Sequence, residues 1–243
     1  SYSAWPASPF NGIFASEVTS HGAIPIIQIM PHVSLGEVAD GKLDAQVRSY
    51  ADEARAFGHP VDLSFAPEAN GNWYKWGYGH TPPATWIAAW RVMVTVFRQQ
   101  RATNVTWLWT VNVPFPHSGA ISDYWPGDAY VDVVGLDGYY AHPSDTFASL
   151  FGPLIRKVRA LTSKPIYISE TAAGPDSGKQ REAQIRGLFA GVRAERLAGF
   201  LWFDEAQHQG IYHQDWRLEN DPAAIAAFHG AVREYDHGPV ASA

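Results

Sequence analysis

Glu68 and Glu170 are the residues of this 243-residue chain whose type and setting most directly permit chemistry. Glu68 follows a short apolar run and opens a segment of amides and rings, Pro67-Glu68-Ala69-Asn70-Gly71-Asn72-Trp73-Tyr74-Lys75-Trp76. Glu170 closes a second run, Lys164-Pro165-Ile166-Tyr167-Ile168-Ser169-Glu170. Two carboxyl groups held about 5–5.5 Å apart can cleave a glycosidic bond with retention: a protonated one assists the departing oxygen while an ionised one attacks the anomeric carbon. For either glutamate alone, a surface carboxylate paired with Lys or Arg is the plainer account. The shared context, an apolar strand end with no charged helical face around it, argues against that account for the pair.

Other side chains suit a sugar partner. The chain carries 10 Trp and 11 Tyr, many beside Gly, Asn, Pro or Asp, where loops are expected. Flat rings on loops can stack on the apolar faces of sugars while keeping a polar edge wet. Asn70, Asn112 and Asp137 can bind hydroxyls, with turn formation or strand-end capping as the alternative. His32 follows an early strand and can face a binding subsite, and His208 and His213 flank Gln209-Gly210 in a late loop. No histidine has metal-ligand spacing with another His or carboxylate on a helix, so neither a metal nor another cofactor is expected. No Gly-x-Ser-x-Gly elbow is present for serine catalysis.

Composition narrows the partner. A net charge of −6 without a run of Lys or Arg argues against nucleic acid and anionic membrane surfaces. No apolar stretch approaches the roughly 20 residues that span a bilayer. With no cysteine there are no disulfides, thiolate metal sites or Cys nucleophile. A neutral polysaccharide or oligosaccharide fits best, met by a monomer that is secreted or held at the cell surface. The N-terminus shows no signal segment, so export implies one removed before residue 1.

Elements to position these groups follow from periodicity. Short β-branched runs at Tyr2–Trp5, Ile24–Met30, Val61–Ala66, Val105–Val111, Val131–Asp137, Pro165–Ser169 and Gly199–Asp204 read as strands. Helical periods alternate with them. Leu43, Val47, Tyr50, Ala54 and Phe57 share one face, and so do Phe147, Leu150, Phe151, Leu154, Val158 and Leu161. Further helices are predicted at Thr85–Gln100, Lys179–Arg196 and Pro222–Tyr235, the last with Asp221 as N-cap. Residues 113–130 lack helical pattern and read as an extended crossover carrying Trp125. Alternating βα units without a Gly-rich phosphate loop point to an α/β fold, a (β/α)8 TIM barrel rather than an open doubly wound sheet. Only seven strands are found, so the first βα unit is expected upstream of residue 1. Val61–Ala66 then becomes the fourth strand of such a barrel and Pro165–Ser169 the seventh, at whose ends catalytic groups are expected. One domain spans residues 1–243, with 236–243 as a loose tail.

The segment around Glu68 resembles the acid/base motif of glycoside hydrolase family 26, close to His-Glu-Met-Asn-Gly-x-Trp-x-x-Trp. Further similarity lies in Asn104-Val105-Thr106-Trp107-Leu108-Trp109, in Tyr124-Trp125-Pro126-Gly127-Asp128, in Val131 to Tyr139 and in the Glu170 strand. The resemblance extends from Ser3-Ala4-Trp5 to Asp215-Trp216-Arg217. It implies a retaining hydrolase with Glu68 as general acid/base and Glu170 as nucleophile. It also implies that Tyr139 hydrogen-bonds the nucleophile, that Trp202 is a platform beneath the sugar under attack, and that Trp73 stands beside the acid/base. Trp5, Trp76, Trp109 and Trp125 are candidates for flanking subsites, with packing as the alternative. Pro67 and Ala69 depart from the motif, where relatives carry His and Met. The family base rate is endo-β-1,4-mannanase, and the loss of that His keeps mixed-linkage β-glucan and β-1,3-xylan open as substrates. A carbohydrate-binding barrel without catalysis and a barrel enzyme of phosphorylated metabolites are the readings of other classes. Both glutamates with Tyr139 disfavour the first, and the missing phosphate loop the second.

Overall fold

The computed structural model describes residues 1–174, 178–207 and 212–237. His208 and tail residues 238–243 lie outside them. Strands and helices alternate as β1 (Tyr2–Trp5), α1 (Gly12–Ser20), β2 (Ile26–Pro31), α2 (Leu35–Ala39), α3 (Asp44–Phe57), β3 (Val61–Phe65), α4 (Pro83–Gln99), β4 (Val105–Asn112), β5 (Val133–Asp137), α5 (Phe147–Leu150), α6 (Gly152–Leu161), β6 (Ile166–Thr171), α7 (Gly178–Ala194) and β7 (Phe200–Trp202), followed by β8 (Ala206–Gln207), β9 (Gln214–Asp215) and α8 (Pro222–His237). Strand order is β1 to β7 without interruption, while β8 and β9 form a separate antiparallel pair. These seven strands are those of a (β/α)8 barrel lacking its first unit, so β3 holds the fourth position of the full fold and β6 the seventh.

The chain divides into two compact units: residues 1–135 with 158–165, and residues 136–157 with 166–243. In the first, β1 to β4 pair in parallel, with Tyr2 opposite Gln28, Gln28 opposite Ser64 and Leu63 opposite Trp107. One face of these strands carries large apolar groups that α3 and α4 cover. Trp107 meets Trp90 and Phe97 edge-on at 5.8 and 5.0 Å, and Trp86 stacks on Trp90 at 5.3 Å. Rings of this size bury about 150–250 Å² each, so this wall of indoles dominates the unit's packing. α3 stops at Gly58, whose φ of 75° provides the left-handed turn that ends a helix.

In the second unit β6 pairs in parallel with β7. Phe200 and Trp202 project onto a core of Ile185, Phe189, Ala224 and Ala227 from α7 and α8. Asp221 caps α8 as its sequence predicts, accepting from the backbone N–H of Ala223 and Ala224 at 3.0 Å each. That helix continues to His237, beyond the predicted end at Tyr235.

Three differences from the periodicity have physical causes. α1 escapes notice because it buries only Ala15 and leaves Ile13 87% exposed, so it carries no apolar stripe. α2 is a five-residue turn set by its Ser34 cap, too short to show a period. Residues 113–130 are not wholly extended: single 3-10 turns form at Ile121–Tyr124 and Asp128–Tyr130.

Candidate active site

Glu68 lies just past β3 in an unusual stretch of backbone. Ala66 and Glu68 both adopt left-handed φ values, 46° and 55°. That region costs a non-glycine residue roughly 1–2 kcal/mol and persists only where surroundings over-determine it. Here they do. The Trp86 indole N–H donates to the Ala66 carbonyl at 3.1 Å and the Trp76 indole N–H to the Pro67 carbonyl at 2.8 Å. The Glu68 amide donates to the Thr110 carbonyl at 3.0 Å. Two indoles and a neighbouring strand thus hold the turn that carries Glu68 out of the sheet.

The carboxyl group of Glu68 is clasped by neutral donors. Asn112 Nδ2 reaches Oε1 at 2.5 Å and the Trp73 indole N–H reaches Oε2 at 3.0 Å. Asn70 is fully buried and bonds the backbone of Asn112 at both ends of its amide, donating to the carbonyl at 2.8 Å and accepting from the N–H at 3.0 Å. Its side chain therefore locks loop to strand. Gly71 and Gly77 are required by close approach. A Cβ on Gly71 would stand 2.4 Å from the Trp73 ring, and one on Gly77 2.2 Å from the Gly71 carbonyl oxygen. Trp73 remains 44% exposed and packs on Phe115 at 5.1 Å. Together with Trp76, Met30 and the exposed His32 it borders a cleft of about 910 Å³ within this unit.

Glu170 sits inside β6, one residue before its end. The Tyr139 hydroxyl donates to Glu170 Oε2 at 2.5 Å, and the Gly138 amide donates to the Glu170 carbonyl at 3.0 Å. Next to it in sequence, the Ser169 hydroxyl donates to the buried carboxyl of Asp137 at 2.5 Å. Tyr139 is itself enclosed by rings. Trp216 stacks on it face to face, 4.5 Å away and tilted by 4°, while Phe203 and Tyr212 meet it edge-on. A hydroxyl donating to a carboxylate stabilises its ionised form, so this arrangement suits a group that must stay charged and still.

Residues 5–172 match the sequence profile of glycosyl hydrolase family 26. The chain belongs to that family. Endoglucanase H of Acetivibrio thermocellus is 31% identical over 233 residues, covering 90% of this chain and 25% of that protein. Mannan endo-1,4-beta-mannosidase A and B of Caldalkalibacillus mannanilyticus is 35% identical over 92 residues, 34% of this chain and 17% of that protein. The chain thus spans a quarter or less of the length of these curated relatives. Among solved structures, a modular endo-β-1,4-mannanase from Cellulomonas fimi aligns over 94% of this chain and 58% of its own with a TM-score of 0.67 at 18% identity. A family 26 β-mannanase from Bacteroides ovatus aligns over 94% and 72% with a TM-score of 0.65 at 17% identity.

Within this family 26 framework the sequence-predicted residues fall into two groups. Glu68, Trp73, Trp76, Asn70 and His32 gather at the strand ends of the first unit, and Glu170 with Tyr139 in the second. The remaining tryptophans are engaged with protein. Trp5 meets Phe65 edge-on at 6.1 Å and Trp109 meets Trp125 at 4.8 Å; Trp5 and Trp109 are buried and Trp125 is half-buried. Trp202 packs on Phe228 at 6.0 Å and donates its indole N–H to the Trp216 carbonyl at 2.9 Å. Among the described residues no group of three His, Cys, Asp or Glu is placed to hold a metal, and no helix is long and apolar enough to cross a membrane. Sequence reasoning missed Trp216. Its only signal was its place in Asp215-Trp216-Arg217, the last stretch of the family resemblance.

Proposed function

We propose that this chain is an endo-acting, retaining glycoside hydrolase of β-linked polysaccharide, with Glu68 as general acid/base and Glu170 as nucleophile. The carrying observation is the hydroxyl of Tyr139 on Glu170, which favours a permanently ionised carboxylate. Glu68, clasped by neutral N–H donors and open to a cleft, suits a group that changes protonation state. In the first step Glu68 gives its proton to the departing glycosidic oxygen as Glu170 attacks the anomeric carbon, leaving a covalent glycosyl-enzyme. In the second, Glu68 takes a proton from water, whose oxygen displaces Glu170 and restores both groups. Trp73 keeps Glu68 oriented and offers an exposed face to the sugar.

The first substrate reading is β-1,4-mannan, supported by the names of several relatives, Mannan endo-1,4-beta-mannosidase among them. A mixed-linkage β-glucan is the second. It is favoured by Pro67, where relatives of the family carry His, and by the relative that covers 90% of the chain, an endoglucanase. Polymers of this kind do not enter cells, which supports a secreted or surface location. A panel of mannan, mixed-linkage glucan, β-1,3-xylan and β-1,3-glucan with product sizing and anomer analysis tests the reading. Mixed oligosaccharides of retained configuration are expected from one polymer. Release of inverted product, or no cleavage of any, overturns it.

A further inference from the structure

α7 holds a side chain that the mechanism above leaves without a role. Arg181 is 1% exposed, and a guanidinium buried so deeply calls for a charge partner and acceptors. One nitrogen pairs with Asp221 at 3.2 Å, at the start of α8. A second donates to the carbonyls of Trp216 and Arg217 at 3.0 and 3.3 Å, and Nε meets no partner among the described residues. The Trp216 carbonyl also takes the Trp202 indole N–H, and the Trp216 indole N–H donates to the buried Gln214 amide oxygen at 2.8 Å. Both the backbone and the ring of Trp216 are therefore fixed. The face left over lies flat on Tyr139, whose hydroxyl reaches Glu170.

We propose that Arg181 and Trp216 are positioning residues for Glu170: the buried Arg181–Asp221 pair seats the Trp216 indole, and that indole sets the ring of Tyr139 so that its hydroxyl stays on the carboxylate. This rests on the assignment of Glu170 as nucleophile. Both side chains are buried, at 1% exposure each. The reason for a buried cation here is directional: a guanidinium can bind a carboxylate on one edge and two carbonyls on another, which no apolar side chain or lysine reproduces. Two further carboxylates of this unit are already engaged. Asp137 is bonded by Ser169, and Asp215 is closed by Arg217 at 2.7 Å.

The pH profile of kcat/KM tests the proposal, because its acid limb reports the ionisation of the carboxylate in free enzyme. Removing the hydroxyl in Tyr139→Phe is expected to move that limb up by about one unit. Arg181→Lys and Trp216→Leu should move it in the same direction, and adding Tyr139→Phe to either should move it no further, since the three act through one bond. Gln214→Leu frees the indole N–H, along with a long 3.5 Å bond to the Ala141 carbonyl, and serves if either variant does not fold. Arg186→Gln, an exposed partner of Glu182 on the same helix, should leave the limb in place. A lower melting temperature with an unmoved acid limb in Arg181→Lys and Trp216→Leu would overturn the proposal, as would shifts that add to that of Tyr139→Phe. Glu170→Ala is measured beside them: near wild-type turnover there overturns the nucleophile assignment itself, whereas an inactive Glu170→Ala with unmoved limbs overturns only the positioning.

Discussion

The turn that carries Glu68 and the strand that carries Glu170 hold the same functional group by opposite means. In the first unit the backbone is bent into left-handed φ at two non-glycine residues, and two buried indoles hold its carbonyls. In the second the carboxylate sits within a strand, where the β6–β7 register shifts between Ile168 and Thr171, and the ring stack around Tyr139 does the holding. Strain lifts Glu68 into a loop with an exposed ring beside it, where a proton can come and go. Its place in β6 keeps Glu170 within reach of one hydroxyl. On the proposed roles, an acid/base and a nucleophile are made from identical side chains by the way each backbone presents them.

The sharpest way to break this contrast is to remove each carboxyl. Glu170→Ala should lose several orders of magnitude in kcat on every substrate, as expected when the attacking group is gone, with an unchanged melting curve. Glu68→Ala should lose roughly 10²–10⁴-fold on polysaccharide. It should lose far less on an aryl glycoside whose leaving group needs no proton, and equal losses on both substrates would erase the distinction. Next in size is the support of the strained turn. Trp76→Phe keeps the ring but leaves the Pro67 carbonyl without its donor, which should cost about 1–3 kcal/mol, read from chemical denaturation. Gly71→Ala should displace Trp73, raising KM severalfold with a smaller change in kcat. The smallest effect concerns pH and the second unit. The Ala224 amide, followed by the Arg181 guanidinium, holds the Asp221 carboxyl below its ordinary value. Arg217 does the same for Asp215, followed by Asn220. A carboxyl lowered in the fold contributes stability that is complete above its unfolded pKa, about 3.9, and is lost as pH falls through the folded value. Asp221→Asn should therefore lower the melting temperature at neutral pH and flatten its fall on acidification. An unchanged acid slope would remove the Asp221 contribution.

The sequence announces this architecture wherever packing repeats. All seven strands appear within two residues of their periodic expectation, and most alternate with a helix that covers them. α1 was invisible because it covers almost nothing, and the hairpin of β8 and β9 because two-residue strands have no period. Glu68 and Glu170 were legible from their position after apolar runs, and the Tyr139 contact from the family resemblance. What the sequence hides is direction. A tryptophan in a loop motif reads alike whether its face meets sugar, as Trp73 is free to do, or its N–H meets a carbonyl, as in Trp76. Arg181 looked like one charge among many on α7; only the fold turns it inward, toward the carbonyls of a loop more than thirty residues away.

The double bond between Asn70 and the backbone of Asn112 has a consequence for how such enzymes change. Because Asn112 in turn holds Glu68, the loop after β3 and the end of β4 are coupled as one unit. Transplanting residues 69–77 from a relative, to borrow its taste in sugars, carries the acid/base safely only when position 112 travels with them.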